Sequence, residues 1–285
     1  MPGAVYEKGY DMKKGRTRSV LTGLFAGILI LGLLLGGSYL WREYQQKQKQ
    51  EDLKEKVVDQ EALEEPKESN PIDFASLWNL NPDVYAWIDV PGTEISYPVL
   101  QDAEDNSYYL EHTIEGEETL PGAIYSENYN SKDFSDYNTI LYGHNMRNGT
   151  MFAGLHDFED AEFVQQNRQI IIYLPDRRLT YQIIAVSIAD DSHLLYKYNN
   201  FNTEGQEAFW QELQNTDESG EYFDSAYQRT GDEHLLTLST CIGSRPNNRL
   251  IVVGALADET ELAAAAEGAD TGAGTAAAAG SDAAQ

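Results

Sequence analysis

Three side chains in this sequence are suited to acyl transfer: a thiol, an imidazole and a guanidinium. Cys241 is the one cysteine among 285 residues and closes the apolar run His234-Leu-Leu-Thr-Leu-Ser-Thr-Cys241. No intramolecular disulfide is possible with one cysteine, and a leftover thiol in an exported protein points to a pairing partner or a reactive group. The competing reading is a small buried hydrophobe, as free cysteine often is. A thiol nucleophile needs a neighbour that favours thiolate and a donor aimed at developing oxyanion charge. Among the five histidines, His144 is the best placed for the first task. It ends the strand-like run Thr139-Ile-Leu-Tyr-Gly-His144 and precedes the polar turn Asn145-Met-Arg-Asn-Gly149, so it stands on a rim. His156 and His193 lie in a helical segment and a loop with ordinary polar neighbours, and His112 follows Glu111 as a solvated residue. His234 begins the cysteine's own strand, more than about 20 Å from the thiol at roughly 3.3 Å per residue.

Arg249 opens a second apolar run, Leu250-Ile-Val-Val-Gly-Ala-Leu256. Two antiparallel strands joined by residues 242–248 would set Cys241 and Arg249 side by side. A guanidinium is always charged and presents a fork of donors, which suits a tetrahedral oxyanion. The alternative is a salt-bridging arginine in an acidic protein, and Arg245 is a nearby decoy. A free thiol titrates near 8.5 and a free imidazole near 6.5, so an unassisted pair is mostly neutral at pH 7. A bell-shaped pH profile for catalytic efficiency is therefore expected.

Other chemistries find little support. One cysteine and dispersed histidines give no zinc-ligand spacing. There is no Gly-x-Gly-x-x-Gly and no P-loop, and the acidic clusters at 102–105, 115–118 and 157–162 lack EF-hand spacing. No metal or other cofactor is expected. A formal net charge of −27 repels phosphate backbones, so nucleic acid is not an expected partner.

The positioning elements follow from the pattern. Residues 19–41 carry no charge and, as a helix, would reach about 34 Å, enough for one membrane span. Lys13, Lys14, Arg16 and Arg18 precede them, which puts residues 1–18 in the cytoplasm and the rest outside the cell. A cleaved signal peptide is the rival reading, but the apolar run is long and lacks an Ala-x-Ala site. Residues 42–70 read as a helical stalk and linker. Asp73 is placed to cap a short helix over 74–78. Between 71 and 257 lie about eight strand-like segments, with Pro175-Asp176 signalling a hairpin and helical patterns at 151–166 and within 203–228. This composition predicts a mainly β sandwich or barrel with peripheral helices. Residues 258–285, poor in anything but Ala, Gly, Asp, Glu and Thr, are expected to form a disordered tail.

Thr237-Leu-Ser-Thr-Cys241, the strand led by Arg249 and Thr139-Ile-Leu-Tyr-Gly-His-Asn145 together resemble the sortase family, in the order His, Cys, Arg. The helical stretch near 203–228, the N-terminal helical extension and Asn106-Ser-Tyr-Tyr-Leu110 resemble its class B. The resemblance covers about residues 71–257 and the anchor. It implies a closed eight-stranded barrel and a membrane-anchored cysteine transpeptidase. Cys241 would attack a Thr–Gly-like bond in the C-terminal sorting signal of a secreted protein, giving a thioacyl-enzyme. His144 would serve as acid and base, and Arg249 would hold the oxyanion. Asn106 and Ser239 match groove-lining positions. The partners implied are sorting-signal proteins and an amine from a peptidoglycan precursor or a pilin lysine. Two other readings are a hydrolytic cysteine endopeptidase on the same scaffold and a non-catalytic surface-binding module.

Overall fold

In the computed structural model, residues 7–64, 69–198, 202–216 and 219–263 are described. Nine strands form one sheet: β1 (Val84–Asp89), β2 (Ser96–Leu100), β3 (Ile124–Tyr125), β4 (Asn138–Tyr142), β5 (Gln169–Tyr173), β6 (Arg177–Asp190), β7 (Tyr222–Phe223), β8 (Leu235–Ile242) and β9 (Arg245–Glu261). Their order is β5-β1-β2-β3-β4-β8-β9-β6-β7, and β5 also pairs with β6. That pairing closes eight strands into a barrel, leaving β7 as a two-residue ribbon on the long β6. The ladders are antiparallel except β2–β3 and β4–β8, which are parallel. The eight-stranded barrel expected from the resemblance is therefore present.

Alternation along the strands decides what each face does. Leu236 and Leu238 of β8, Leu250 and Val252 of β9 and Leu141 of β4 point into the barrel. Phe152, Leu155 and Phe158 of a 3-10 helix (Phe152–Glu159), which leads into α5 (Ala161–Gln166), fill it and are fully buried. Each such side chain contributes roughly 2 kcal/mol by leaving water. The opposite parity carries Ile140, Leu235, Ile251 and Val253 outward, against helices α6 (Leu194–Tyr198) and α7 (Thr203–Gln214). Gly143 has no room for a side chain: a Cβ there would sit 2.5 Å from Ile124 Cδ1 and 2.7 Å from Phe152 Cγ. A glycine lets the end of β4 lie directly on the barrel plug.

The end of the long N-terminal helix docks on the barrel through apolar residues. Helix α1 (Glu7–Val57) is followed by α2 (Gln60–Glu64) and α3 (Phe74–Leu80), and Asp73 caps α3 by accepting from the Ser76 N–H at 3.0 Å. Leu53, Val57 and Val58 pack with Phe74, Trp87 and Leu100 in a second cluster. Lys49 Nζ meets Glu117 Oε2 at 2.9 Å, pinning the helix from the side. Upstream, α1 contains a stretch of mean hydropathy 2.0 with none of it buried in the protein.

The composition reading differs from the structure at two places. The expected tail does not start at 258: β9 runs to Glu261, with Asp258, Glu259 and Thr260 opposite Thr180, Leu179 and Arg178. Arg177 Nε lies 3.1 Å from Glu259 Oε1, so two arginines at the start of β6 give the acidic residues a partner strand. Leu262 is buried, and the remainder of the expected tail, 264–285, lies outside the described residues. The expected 242–248 loop is instead a tight turn at Gly243-Ser244 followed by a bulge. The register slips between Cys241↔Arg249 and Ile242↔Arg245, and the displaced residues pair with the end of β6 through Asn248↔Asp190.

Candidate active site

The ladders bring the three chemical residues into one row. Parallel pairing of β4 with β8 reaches Tyr142↔Ser239, and two residues further along these strands stand His144 and Cys241. Antiparallel pairing of β8 with β9 sets Cys241 opposite Arg249. Neighbouring strands lie about 4.8 Å apart, so this row is a short one across the barrel wall. All three residues share the outward parity of Ile140, Leu235 and Ile251.

Two buried threonines rivet β4 to β8. Thr237 Oγ1 donates to Asn138 Oδ1 and Thr240 Oγ1 to the Gly143 carbonyl, each at 2.8 Å. The hydroxyls in this apolar strand are thereby satisfied, as burial demands. Cys241 itself is free and exposed.

His144 Nε2 lies 2.8 Å from the carbonyl of Leu110, in α4 (Tyr108–Glu111). A carbonyl only accepts, so Nε2 carries the ring proton and Nδ1 keeps the exchangeable lone pair. Arg249 Nη1 donates to the carbonyls of Pro246 and Asn248, both at 3.0 Å. The bulge thus grips one end of the guanidinium and leaves the other N–H groups for a ligand.

A cleft of about 350 Å³ opens over this row, lined by Leu110, Tyr142, His144, Ser239, Cys241 and Arg249 and by the β6–α6 connection. Ser239 is thus placed beside the thiol. Asn106 is not among the described lining residues. Its Oδ1 accepts the Asn128 N–H at 2.7 Å, steadying the turn that follows Glu127.

The cleft also holds residues that local sequence did not single out. His193 Nε2 pairs with Glu127 Oε2 at 2.5 Å, and Tyr142 reaches the same oxygen at 3.4 Å. Burial pushes the Glu127 carboxyl up, and the adjacent His193 ring opposes that rise. The phenols of Tyr125 and Tyr142 are held well above their ordinary range, chiefly by burial and then by the Glu127 charge. They remain neutral across physiological pH and can act only as hydrogen-bonding walls. Glu127 and His193 stand 66 residues apart, so only the fold reveals the pair.

Residues 88–257 match the family model described as the sortase domain. Sortase B of Listeria monocytogenes is 30% identical over 186 residues, covering 65% of this chain and 74% of that protein. Sortase B of Staphylococcus aureus is 31% identical over 182 residues, covering 63% and 72%. Among solved structures, a Staphylococcus aureus sortase B–substrate complex superposes with a TM-score of 0.64 at 26% identity, covering 76% of this chain and 99% of that one. A Streptococcus pyogenes class B sortase involved in pilus biogenesis gives 0.58 at 28% identity, covering 65% and 98%. The family match includes His144, Cys241 and Arg249, and from it we conclude that this chain belongs to the sortase family, in class B, and is a cysteine transpeptidase.

Proposed function

We propose that this chain cleaves a C-terminal sorting signal on secreted proteins and transfers the new acyl end to an amine at the outer membrane face, with Cys241 as nucleophile. The Cys241 thiol gives its proton to His144 Nδ1, its sulfur attacks the carbonyl carbon of a Thr–Xaa bond, and the oxygen takes up negative charge. The free N–H groups of Arg249 stabilise that oxyanion. His144, donating through Nδ1, protonates the departing amine as the C–N bond breaks, leaving a thioester on Cys241. An incoming amine gives a proton to His144 as it attacks the thioester, and the departing Cys241 sulfur takes that proton from Nδ1, restoring the thiol. Ser239 lines the groove beside the thiol. Asn106 acts at one remove, by holding the turn next to Glu127. The acceptor is a primary amine of a cell-wall precursor or a pilin lysine.

Helix α1 serves as a single-pass anchor, with the basic residues 13–18 on the cytoplasmic side and the barrel outside. Substrates leaving the secretion channel would meet the cleft at the same face.

The observation that carries this reading is the single row of His144, Cys241 and Arg249 across three paired strands, opening on a cleft. The test uses the full chain in detergent with quenched fluorescent peptides, each holding one Thr–Xaa bond, with and without triglycine. At least one peptide is expected to be cleaved at that bond and, with triglycine present, to yield the triglycine-extended product by mass. Cleavage with no amine-extended product would make the chain a hydrolase. Cleavage of no peptide, or undiminished cleavage by Cys241→Ala, would overturn the proposal.

A further inference from the structure

The β4–β8 ladder stops just short of the chemistry. Its last backbone link is Gly143 N–H to the Ser239 carbonyl at 3.2 Å. Beyond it, His144 and Cys241 sit on two strand ends, and a side chain makes the next tie between them. Asn145 follows His144, and its Nδ2 lies 2.9 Å from the Cys241 carbonyl oxygen. The same Nδ2 lies 2.8 Å from His156 Nε2, on the 3-10 helix. His156 Nδ1 in turn bonds Glu159 Oε1.

The chemistry of these atoms fixes the direction of each bond. The Cys241 carbonyl can only accept, so the Asn145 atom facing it is the amide nitrogen. Its second N–H faces His156 Nε2, which must then be the acceptor. The ring proton is therefore on Nδ1, where the Glu159 carboxylate accepts it. The 3.1 Å approach of His156 Nε2 to the Cys241 carbonyl is a contact between two acceptors bridged by the amide between them. Every donor in the chain Glu159–His156–Asn145–Cys241 is matched.

We infer that Asn145, His156 and Glu159 are positioning residues for the transfer reaction: they clamp the backbone of Cys241 to the segment that carries His144. The inference rests on the proposed roles of Cys241 and His144. Its physical basis is that acyl transfer needs the reacting groups in a near-attack geometry, and an error of about 1 Å can cost about a hundredfold. The cleft is lined by other residues, so the clamp acts on turnover and leaves substrate affinity largely alone.

The test measures kcat and KM for the full chain in detergent, using the fastest-cleaved panel peptide with triglycine, alongside the thermal unfolding midpoint. Asn145→Ala and His156→Ala are expected to lower kcat about tenfold or more, with KM within about twofold and the midpoint nearly unchanged. His156→Gln keeps an oxygen that can accept from Asn145 and is expected to recover most of kcat. The inference is overturned if either alanine variant keeps kcat within about twofold of the parent. It is equally overturned if kcat falls only in step with the midpoint and glutamine gives no rescue. Cys241→Ala separates the two claims. If it is silent while the alanine variants are fully active, this inference alone fails; if it still transfers, the underlying assignment of the nucleophile fails.

Discussion

Arg249 is held by one edge: two backbone carbonyls of the bulge occupy Nη1, and the guanidinium plane is fixed before any substrate arrives. A lysine there would keep the charge but lose both the grip and the fork. Arg249→Lys is expected to lower kcat/KM roughly a hundredfold, the scale of losing an oxyanion donor. Arg245→Lys, at an exposed position beyond the tight turn, should stay within about twofold. Steady-state kinetics of the pair decides it; equal losses would mean that charge in the hairpin matters and geometry does not. Strand parity does not separate the decoy, since 245 and 249 are an even number of residues apart; the ladder does, by setting Arg249 opposite Cys241 and Arg245 opposite Ile242. Cys241, His144 and Arg249 were legible because each ends or begins a short apolar run. Glu127 and His193 were not, since they pair across 66 residues of chain, and His156 was not, because its link to the active site runs through the Asn145 amide to the Cys241 carbonyl, 96 residues further on.

Between β6 and α6 a short connection forms one wall of the cleft, and Asp190 organises it. Its carboxylate accepts from the Ser192 N–H at 2.9 Å and from Lys197 Nζ at 3.0 Å. The hydrogen bond from the Ser192 side chain, followed by that from Lys197, lowers its pKa from 3.8 to about 2. In that window the folded chain binds fewer protons at this site than the unfolded chain, so its contribution to stability is lost as pH falls. Above about pH 5 the contribution is fully present. Asp190 is largely solvated, which keeps the effect small. The unfolding midpoint of the parent should exceed that of Asp190→Asn above pH 5, and the gap should close by about pH 2. A constant gap across that range would contradict the assignment. At this scale the long β6, β8 and β9 were readable from β-branched runs. Residues 122–126 also read as strand-like, and β3 forms within them, whereas the two-residue β7 lay inside a stretch read as helical because its pairing comes from the long β6 beside it. The bulge after Cys241 was also hidden, since the end of β6 imposes it by pairing with Asn248. Residues 258–261 looked like tail by composition, yet Arg177 and Arg178 of β6 recruit them as strand.

The whole molecule combines an acidic chain of net charge −27 with one long apolar helix. Anionic lipid repels such a surface, so the proposed anchoring rests on the helix alone and is expected to be insensitive to salt. The full chain should float with anionic vesicles in both 0.1 M and 1 M salt, and a variant lacking residues 19–41 should stay at the bottom in both. Flotation of the deletion variant, or release of the full chain by salt, would assign retention to the barrel surface instead. The barrel was foreseeable in outline, through strand count and family resemblance. Its closure by β5 on β6 is a property of the hairpin at Pro175-Asp176, which turns β6 back along β5. The central claim is that the sulfur of Cys241 carries the acyl group between donor and acceptor. It is tested most directly by the intact mass of the full chain, quenched in acid seconds after mixing with a cleaved panel peptide and no amine. A mass gain equal to the peptide's acyl fragment is expected, mapped by digestion to Cys241 and discharged by triglycine. Cleavage with no adduct, or with the adduct on another residue, would contradict it.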